Sequence, residues 1–176
     1  MRAVFLVLSL LLVAGCAQRH AGDPVVDDQV MPADFAGTVE YDNGSLPPPY
    51  HYEWRVTFDD ATAEVEWRPG YDSSAEPWRE AVGITDDQRT GLYARLRELG
   101  LFDLAEVTDD GMVGGPGGSV EITAAGRTHD PGSLGGSEEG ARLLEDVADA
   151  VRALFPAEVW DGLKTKQEDW SDRQPQ

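Results

Sequence analysis

The stretch YEWRVTFDDATAEVEWR, residues 52–68, determines the fold because it contains two runs of alternating apolar and polar residues. This alternation is typical of antiparallel strands that bury one face and expose the other. A short loop, residues 59–62, separates the two runs. Two such runs joined by a short loop predict a β-hairpin.

One register satisfies both faces of this hairpin. It places apolar side chains of the two strands opposite each other, and it places each arginine opposite a glutamate. A slip by one residue would move every apolar side chain to the solvent face. The predicted pairs are Phe58–Ala63, Val56–Val65 and Trp54–Trp67 on the buried face, and Arg55–Glu66 and Glu53–Arg68 on the exposed face.

The same patterns predict the elements on either side of the hairpin. Thr85 and Gln88 have the spacing of a capping box, and Ser137 precedes two glutamates as an N-cap would. Each begins a segment with one apolar face, which predicts two helices. The predicted strands outside the hairpin are 35–41, 78–84, 120–124 and 127–130, and the predicted helices are 85–100 and 137–155.

The resulting order of elements is β-β-β-(β)-α-β-β-α. Because short turns join the strands and the helices stand apart from them, we expect an α+β fold. An antiparallel sheet of four to six strands should be covered on one face by two helices. The predicted loops are 42–49, 69–77, 105–118 and 130–136, and residues 157–163 should add one further helical turn.

The N-terminus has the features of an export signal. Met1-Arg2 is a short positive region, and residues 3–13 form an apolar run. That run is too short to cross a bilayer, which takes about 20 residues, and it fits the apolar part of a secretory signal. Val13-Ala14-Gly15-Cys16 follows and resembles the lipobox of bacterial lipoproteins.

The resemblance to lipoproteins implies a processed and lipidated chain. In that family the signal is removed directly before the cysteine, and the cysteine carries acyl chains such as palmitate. We therefore expect Cys16 to anchor the chain in the bacterial cell membrane, with the folded part on the extracytoplasmic side of the envelope. Two or more acyl chains hold a protein on a membrane more firmly than one. The expected division is a signal peptide at 1–15, a lipidated N-terminus and flexible tether at 16–34, a single α+β domain at 35–164 and a polar tail at 165–176.

Charge and cysteine content exclude several classes of function. The chain has 33 acidic against 14 basic residues, for a formal net charge of −19. Nucleic-acid binding relies on lysine and arginine, so a nucleic-acid partner is not expected. The single cysteine is the predicted lipid site, so the folded part has no disulfide and no thiolate metal site. We expect a monomer that is held together by its apolar core.

No motif in the sequence predicts catalysis. The glycine-rich segment 111–118 lacks the lysine of a phosphate loop and leads into a predicted strand. The three histidines, His20, His51 and His129, share no metal-ligand spacing. The acidic pairs, such as Asp109-Asp110, lack the spacing of a calcium loop. We therefore expect neither an enzyme nor a resident cofactor or metal.

The aromatic residues indicate a binding surface more strongly than the glycine-rich segment 111–118, which is a candidate binding loop. They are concentrated in the first half of the chain, where Trp54 and Trp67 are predicted core residues. Tyr50, Tyr71 and Trp78 fall at loop edges, where aromatic side chains often take part in recognition. They are the candidate binding rim, with packing at the edge of the core as the alternative.

Two functions remain open on the sequence alone. The first is a membrane-anchored, non-catalytic binding or interaction module with a protein partner in the envelope. The second is a protease inhibitor, because the element order over residues 36–155, with the segments LRELGLFD and GGSVEITAAGRTH, resembles emfourin-like inhibitors of thermolysin-type metalloproteases. That resemblance carries over no functional residue.

Overall fold

The structure, a computed structural model, describes residues 30–74, 76–104, 107, 110–111 and 113–174. It has the α+β fold that the sequence predicts. The predicted signal peptide, Cys16 and most of the predicted tether lie outside the described residues. The elements are β1 (Ala36–Asp42), β2 (Tyr52–Phe58), β3 (Thr62–Pro69), β4 (Trp78–Gly83), α1 (Asp86–Glu98), a 3-10 turn (Leu101–Asp103), β5 (Gly117–Ala124), β6 (Arg127–His129), β7 (Ser133–Leu134), α2 (Glu138–Arg152) and α3 (Ala157–Ser171).

The strands form one antiparallel sheet in the order β4-β3-β2-β1-β5-β6, and β7 pairs with β5 beyond the short β6. The hairpin of β2 and β3 has the predicted register at every pair. Trp54 lies opposite Trp67 and Val56 opposite Val65, so the prediction is confirmed.

One face of the sheet carries four aromatic side chains at directly opposed positions, one on each of four neighbouring strands. This aromatic row consists of Tyr41, Trp54, Trp67 and Trp78. Helix α2 packs over β1 and β5, and α3 packs over β3, so both cover the face that bears the row. The core of the protein therefore lies between this face and the helices.

The helix ends follow the local sequence. The Thr85 hydroxyl accepts from Gln88 N at 3.2 Å, and Gln88 Oε1 accepts from Thr85 N at 3.0 Å, which confirms the capping box. After α1, Gly100 adopts φ +73°, a conformation that favours glycine. Ser137 caps α2 by accepting from Gly140 N at 3.1 Å.

Two strand predictions need correction. The predicted loop 130–136 contains β7, and β5 begins at Gly117, inside the predicted loop 105–118. Glycine is the reason for the second error, because a Cβ on Gly118 would lie 2.0 Å from the Glu40 carbonyl oxygen. A residue that the sheet needs for close strand approach looks like a loop residue in the sequence.

The C-terminal prediction also needs correction. The sequence predicts one helical turn to Leu163 and a polar tail from residue 165, but α3 continues to Ser171 and is a third helix on the sheet. Gln167 is buried against Trp67. Trp170 packs so close to Gly70 that a Cβ there would meet its ring at 2.8 Å. Contacts with the sheet, and not helix propensity, fix this segment.

Candidate functional site

The sheet has two ends that differ in what they carry. The chain enters beside Ala36, which pairs with Thr123, and we call this the entry end. β1 then runs to Asp42, which lies opposite Glu53 and Gly117 at the distal end. Residues 43–51 join β1 to β2 at the distal end, residues 70–74 and 76–77 lie between β3 and β4 there, and residues 113–116 lead into β5 at the same end.

The entry end is tied down by polar contacts. The Asp34 carboxylate accepts from Ala125 N at 2.8 Å and from Gly126 N at 2.6 Å. These backbone hydrogen bonds lower the pKa of Asp34, the one from Gly126 most. The buried Arg89 donates to the Phe35 carbonyl at 3.0 Å. Residues 34 and 35 are therefore part of the folded domain, and their position at this end is fixed.

The distal end exposes apolar and aromatic side chains. Of the six large hydrophobic side chains that are exposed among the described residues, four lie in the distal loops; the other two are Val30 and Leu104. We call these four the distal patch: Leu46 (42% exposed), Tyr50 (63%), Tyr71 (53%) and Val113 (89%). Exposed apolar groups that gather in one place indicate a recognition surface.

A buried histidine holds the distal loops together. His51 is 2% exposed and stacks on the Tyr71 ring with 3.8 Å between centroids. Its Nδ1 lies 2.9 Å from the Gly44 carbonyl oxygen, so Nδ1 must carry the proton. The Tyr71 hydroxyl in turn donates to the Leu46 carbonyl at 2.8 Å. The patch is therefore built on fixed contacts, which reduces the entropy that a partner would have to overcome.

The loop 43–51 contains three prolines at 47–49, and we call it the proline-rich loop. A cleft of about 370 Å³ opens beside the distal patch, between this loop and α3. We call it the tyrosine cleft. Tyr52 stacks on Trp67 at 4.3 Å beneath it. The residues that line it are Pro49, Tyr50, Tyr52, Trp67, Lys164, Gln167, Glu168, Ser171 and Asp172.

Gln167 fixes the floor of the tyrosine cleft. It is 8% exposed, and its Oε1 accepts from the Trp67 indole N–H at 3.0 Å. Its Nε2 lies 3.2 Å from the Pro49 carbonyl oxygen and 3.3 Å from that of His51. One amide therefore joins α3, β3 and the proline-rich loop, so the wall and floor of the cleft form a single unit.

Among the residues that the structure describes, no helix covers the other face of the sheet, which carries charged side chains. A charged row lies across four strands at directly opposed positions: Glu40, Arg55, Glu66 and Arg79. Arg55 Nε donates to Glu40 at 2.8 Å, and Arg79 Nε donates to Glu66 at 2.8 Å. The contact with Glu66 is the main cause of the raised pKa of Arg79. A shallow concavity of about 290 Å³ lies over part of this row. Because its charges pair with each other, the row offers less to a partner than the distal end does.

The three predicted rim residues all lie toward the distal end, since Trp78 begins β4 there, but they differ in burial. Tyr50 and Tyr71 are exposed. Trp78 lies half-buried on the edge strand β4 and packs against the core as part of the aromatic row. The sequence reasoning missed His51 and Gln167, which hold the site together. His51 stands between two tyrosines, which is a weak signal, and Gln167 sits in a polar run that gives none.

The described part of the chain offers no metal site, since it contains no group of three or more His, Cys, Asp or Glu side chains that could hold an ion. His129 packs its ring edge-to-face with Phe102 at 5.0 Å. None of the helices in the described residues has the length and apolar character that crossing a membrane requires.

Comparisons with known proteins do not assign the chain. No protein-family model matches it, and a search of curated proteins gives no significant match.

Proposed function

We propose that this protein is an exported lipoprotein, anchored through Cys16, that works as a non-catalytic binding module of the cell envelope. One observation carries the proposal: the exposed apolar and aromatic side chains gather at the end of the sheet opposite the point where the chain enters. A tether from a membrane would join the domain at its entry end. The distal patch would then face away from the membrane, toward a partner.

Photo-crosslinking in cells tests this proposal. A photoreactive phenylalanine is placed in the full chain at Tyr50 or Tyr71, and at Asp60 or Arg127 of the entry end as matched exposed controls. A binding module should give a discrete crosslinked product from the distal positions and none from the controls. Equal crosslinking from both ends, or no product from the distal end, would contradict the proposal.

The location is tested separately. Cys16→Ala removes the acylated atom, so the variant should leave the membrane fraction, whereas Cys16 in the unchanged chain should take up labelled palmitate. A Cys16→Ala chain that stays fully in the membrane fraction would refute the lipid anchor without affecting the binding role.

The alternative is a protease inhibitor of the envelope, and Val113 favours it. This side chain is almost fully exposed in a glycine-rich loop at the distal end, and an exposed apolar side chain on a protruding loop is one that a protease pocket can accept. Titration of thermolysin-type metalloproteases should then show stoichiometric inhibition that Val113→Asp abolishes. Full protease activity at excess protein would exclude this alternative.

A further inference from the structure

We infer that the tyrosine cleft binds an arginine side chain of a basic polypeptide partner. The inference rests on the proposed binding role and adds the chemistry of the ligand. Three features carry it: aromatic walls, unpaired carboxylates at the rim and a floor whose hydrogen bonds are already satisfied.

The rim of the cleft carries charges without partners. Lys164, Glu168 and Asp172 are spaced four residues apart, so they lie along one ridge of α3. None of the three takes part in an ion pair with another described residue, although the described residues form ten ion pairs between Lys or Arg and Asp or Glu. Glu168 and Asp172 are both exposed, so a ligand can reach them.

The walls select for a flat cation with an apolar stem. Tyr50 is exposed and Tyr52 half-buried at the cleft, and the face of a tyrosine ring attracts a guanidinium group. A guanidinium fits carboxylates better than an ammonium does, because its donors form a planar fork. The methylene groups of an arginine can cover the apolar wall while the head reaches Glu168 and Asp172.

The polar groups at the floor of the tyrosine cleft are already hydrogen-bonded within the protein. Gln167 uses its oxygen for Trp67 and its nitrogen for two carbonyl groups. Gln167 and the Trp67 indole therefore offer no free hydrogen-bonding group to a sugar or a neutral amide, which would have to rely on the charged rim. A cationic ligand is also favoured over long range, because the chain has a net charge of −19.

A peptide titration of the full chain in detergent micelles tests the inference. The probes are acetylated, amidated Gly-Xaa-Gly peptides with arginine, norleucine or glutamate at the centre. The signals followed are the Trp67 indole N–H, assigned with Trp67→Phe, and the Gln167 side-chain amide. The arginine peptide should bind at least about fivefold more tightly than the norleucine peptide, and the glutamate peptide should not bind.

Charge-neutral variants place the site. Glu168→Gln with Asp172→Asn should weaken binding of the arginine peptide by about fivefold to tenfold. Glu158→Gln with Asp161→Asn removes the same charge from exposed positions of α3 that do not line the cleft, and it should change the affinity less than twofold. Equal binding of the arginine and norleucine peptides, no binding of either, or equal loss in both double variants would overturn the inference. Distal crosslinking that persists in the Glu168→Gln, Asp172→Asn chain would show that the binding role stands while the arginine site fails.

Discussion

Two rows of side chains cross the same four strands and differ by a single residue along each strand. The aromatic row lies under α2 and α3, and the charged row lies on the uncovered face. Both rows lie on the same strands in the same antiparallel register, so the contrast shows what the covering helices add to one face. On the covered face, side-chain volume and hydrogen bonding are fixed by close neighbours. On the uncovered face, water competes with each contact.

The two rows differ in what determines the contacts between their side chains. In the aromatic row, Tyr41 stacks on Trp54, and the Arg152 guanidinium lies over both rings at 5.3 and 5.2 Å from their centroids. In the charged row, Arg55 lies opposite both Glu40 and Glu66, and it bonds Glu40 while Glu66 bonds Arg79. On the covered face, strand register fixes which side chains are in contact. On the uncovered face, each arginine lies opposite or beside more than one glutamate with which it can form an ion pair.

The largest expected effect comes from truncating neighbouring residues of the two rows. Trp54→Ala should lower the free energy of unfolding by about 3–5 kcal/mol, because it leaves a cavity in the core. Arg55→Ala, the next residue on the opposite face, should cost no more than about 1 kcal/mol. Urea unfolding followed by circular dichroism measures both. Should Trp54→Ala fail to fold, Trp54→Phe against Arg55→Ala gives the same ranking, and equal costs would contradict the contrast.

The second largest effect is expected from removing the hydrogen bond between Gln167 of α3 and Trp67 of the aromatic row. Gln167→Leu keeps most of the volume but leaves the Trp67 indole N–H and two carbonyl groups without their partner. We expect a loss of about 2–3 kcal/mol. Asp169→Ala, at an exposed position of the same helix, is the control and should be nearly neutral. In a double-mutant cycle with Trp67→Phe, strictly additive costs would show that the two side chains are not coupled.

The sequence predicts the central pair of the aromatic row correctly, but it does not predict β7 or the full length of α3. Alternation in residues 52–68 is enough to place Trp54 opposite Trp67, since a shift of one residue would expose every apolar side chain. β7 and the long α3 were missed for a physical reason. Both are held by contacts with residues that are distant in sequence: Leu134 pairs with Gly118, and Gln167 bonds Trp67. Such contacts cannot be predicted from the local sequence pattern.

The candidate site was predictable only in part. Exposed tyrosines next to prolines and glycines point to a surface, and Tyr50 and Tyr71 do lie at the distal end. Trp78 has the same local signature but is placed on the covered row by its pairing with Trp67. The tyrosine cleft could not be predicted, because residues 49–52 and 164–172 meet only through tertiary packing.

The pH dependence of stability tests the contribution of one titratable group in the aromatic row, the Tyr41 hydroxyl. The Tyr41 hydroxyl donates to Glu145 at 3.3 Å, and burial together with the Glu145 charge raises the pKa of Tyr41 to about 12. The folded state therefore binds this proton more tightly than the unfolded state, whose tyrosine pKa is about 10. The resulting stability is complete below pH of about 10 and is lost as the pH rises toward about 12.

Tyr41→Phe removes this contribution, so the variant should be about 1 kcal/mol less stable than the unchanged chain at neutral pH. The gap should narrow above pH of about 10 and change sign before about pH 12, because the stability lost over two pKa units exceeds about 1 kcal/mol. Urea unfolding at a series of alkaline pH values measures it. A gap that stays constant with pH would mean that Tyr41 contributes through packing alone.

The smallest expected effect concerns the ion pairs of the charged row. A double-mutant cycle of Glu40→Gln and Arg55→Met should give a coupling free energy of about 0.2–1 kcal/mol, because both side chains are exposed to water. In about 1 M salt the Debye length falls to about 3 Å, which is close to the contact distance of this pair, so the coupling should fall by about half or more. The coupling between Gln167 and Trp67 on the covered face should persist at the same salt concentration, since neither side chain is charged. A salt-resistant coupling of Glu40 with Arg55 would show that the uncovered face is shielded from water, and the contrast between the two rows would fail.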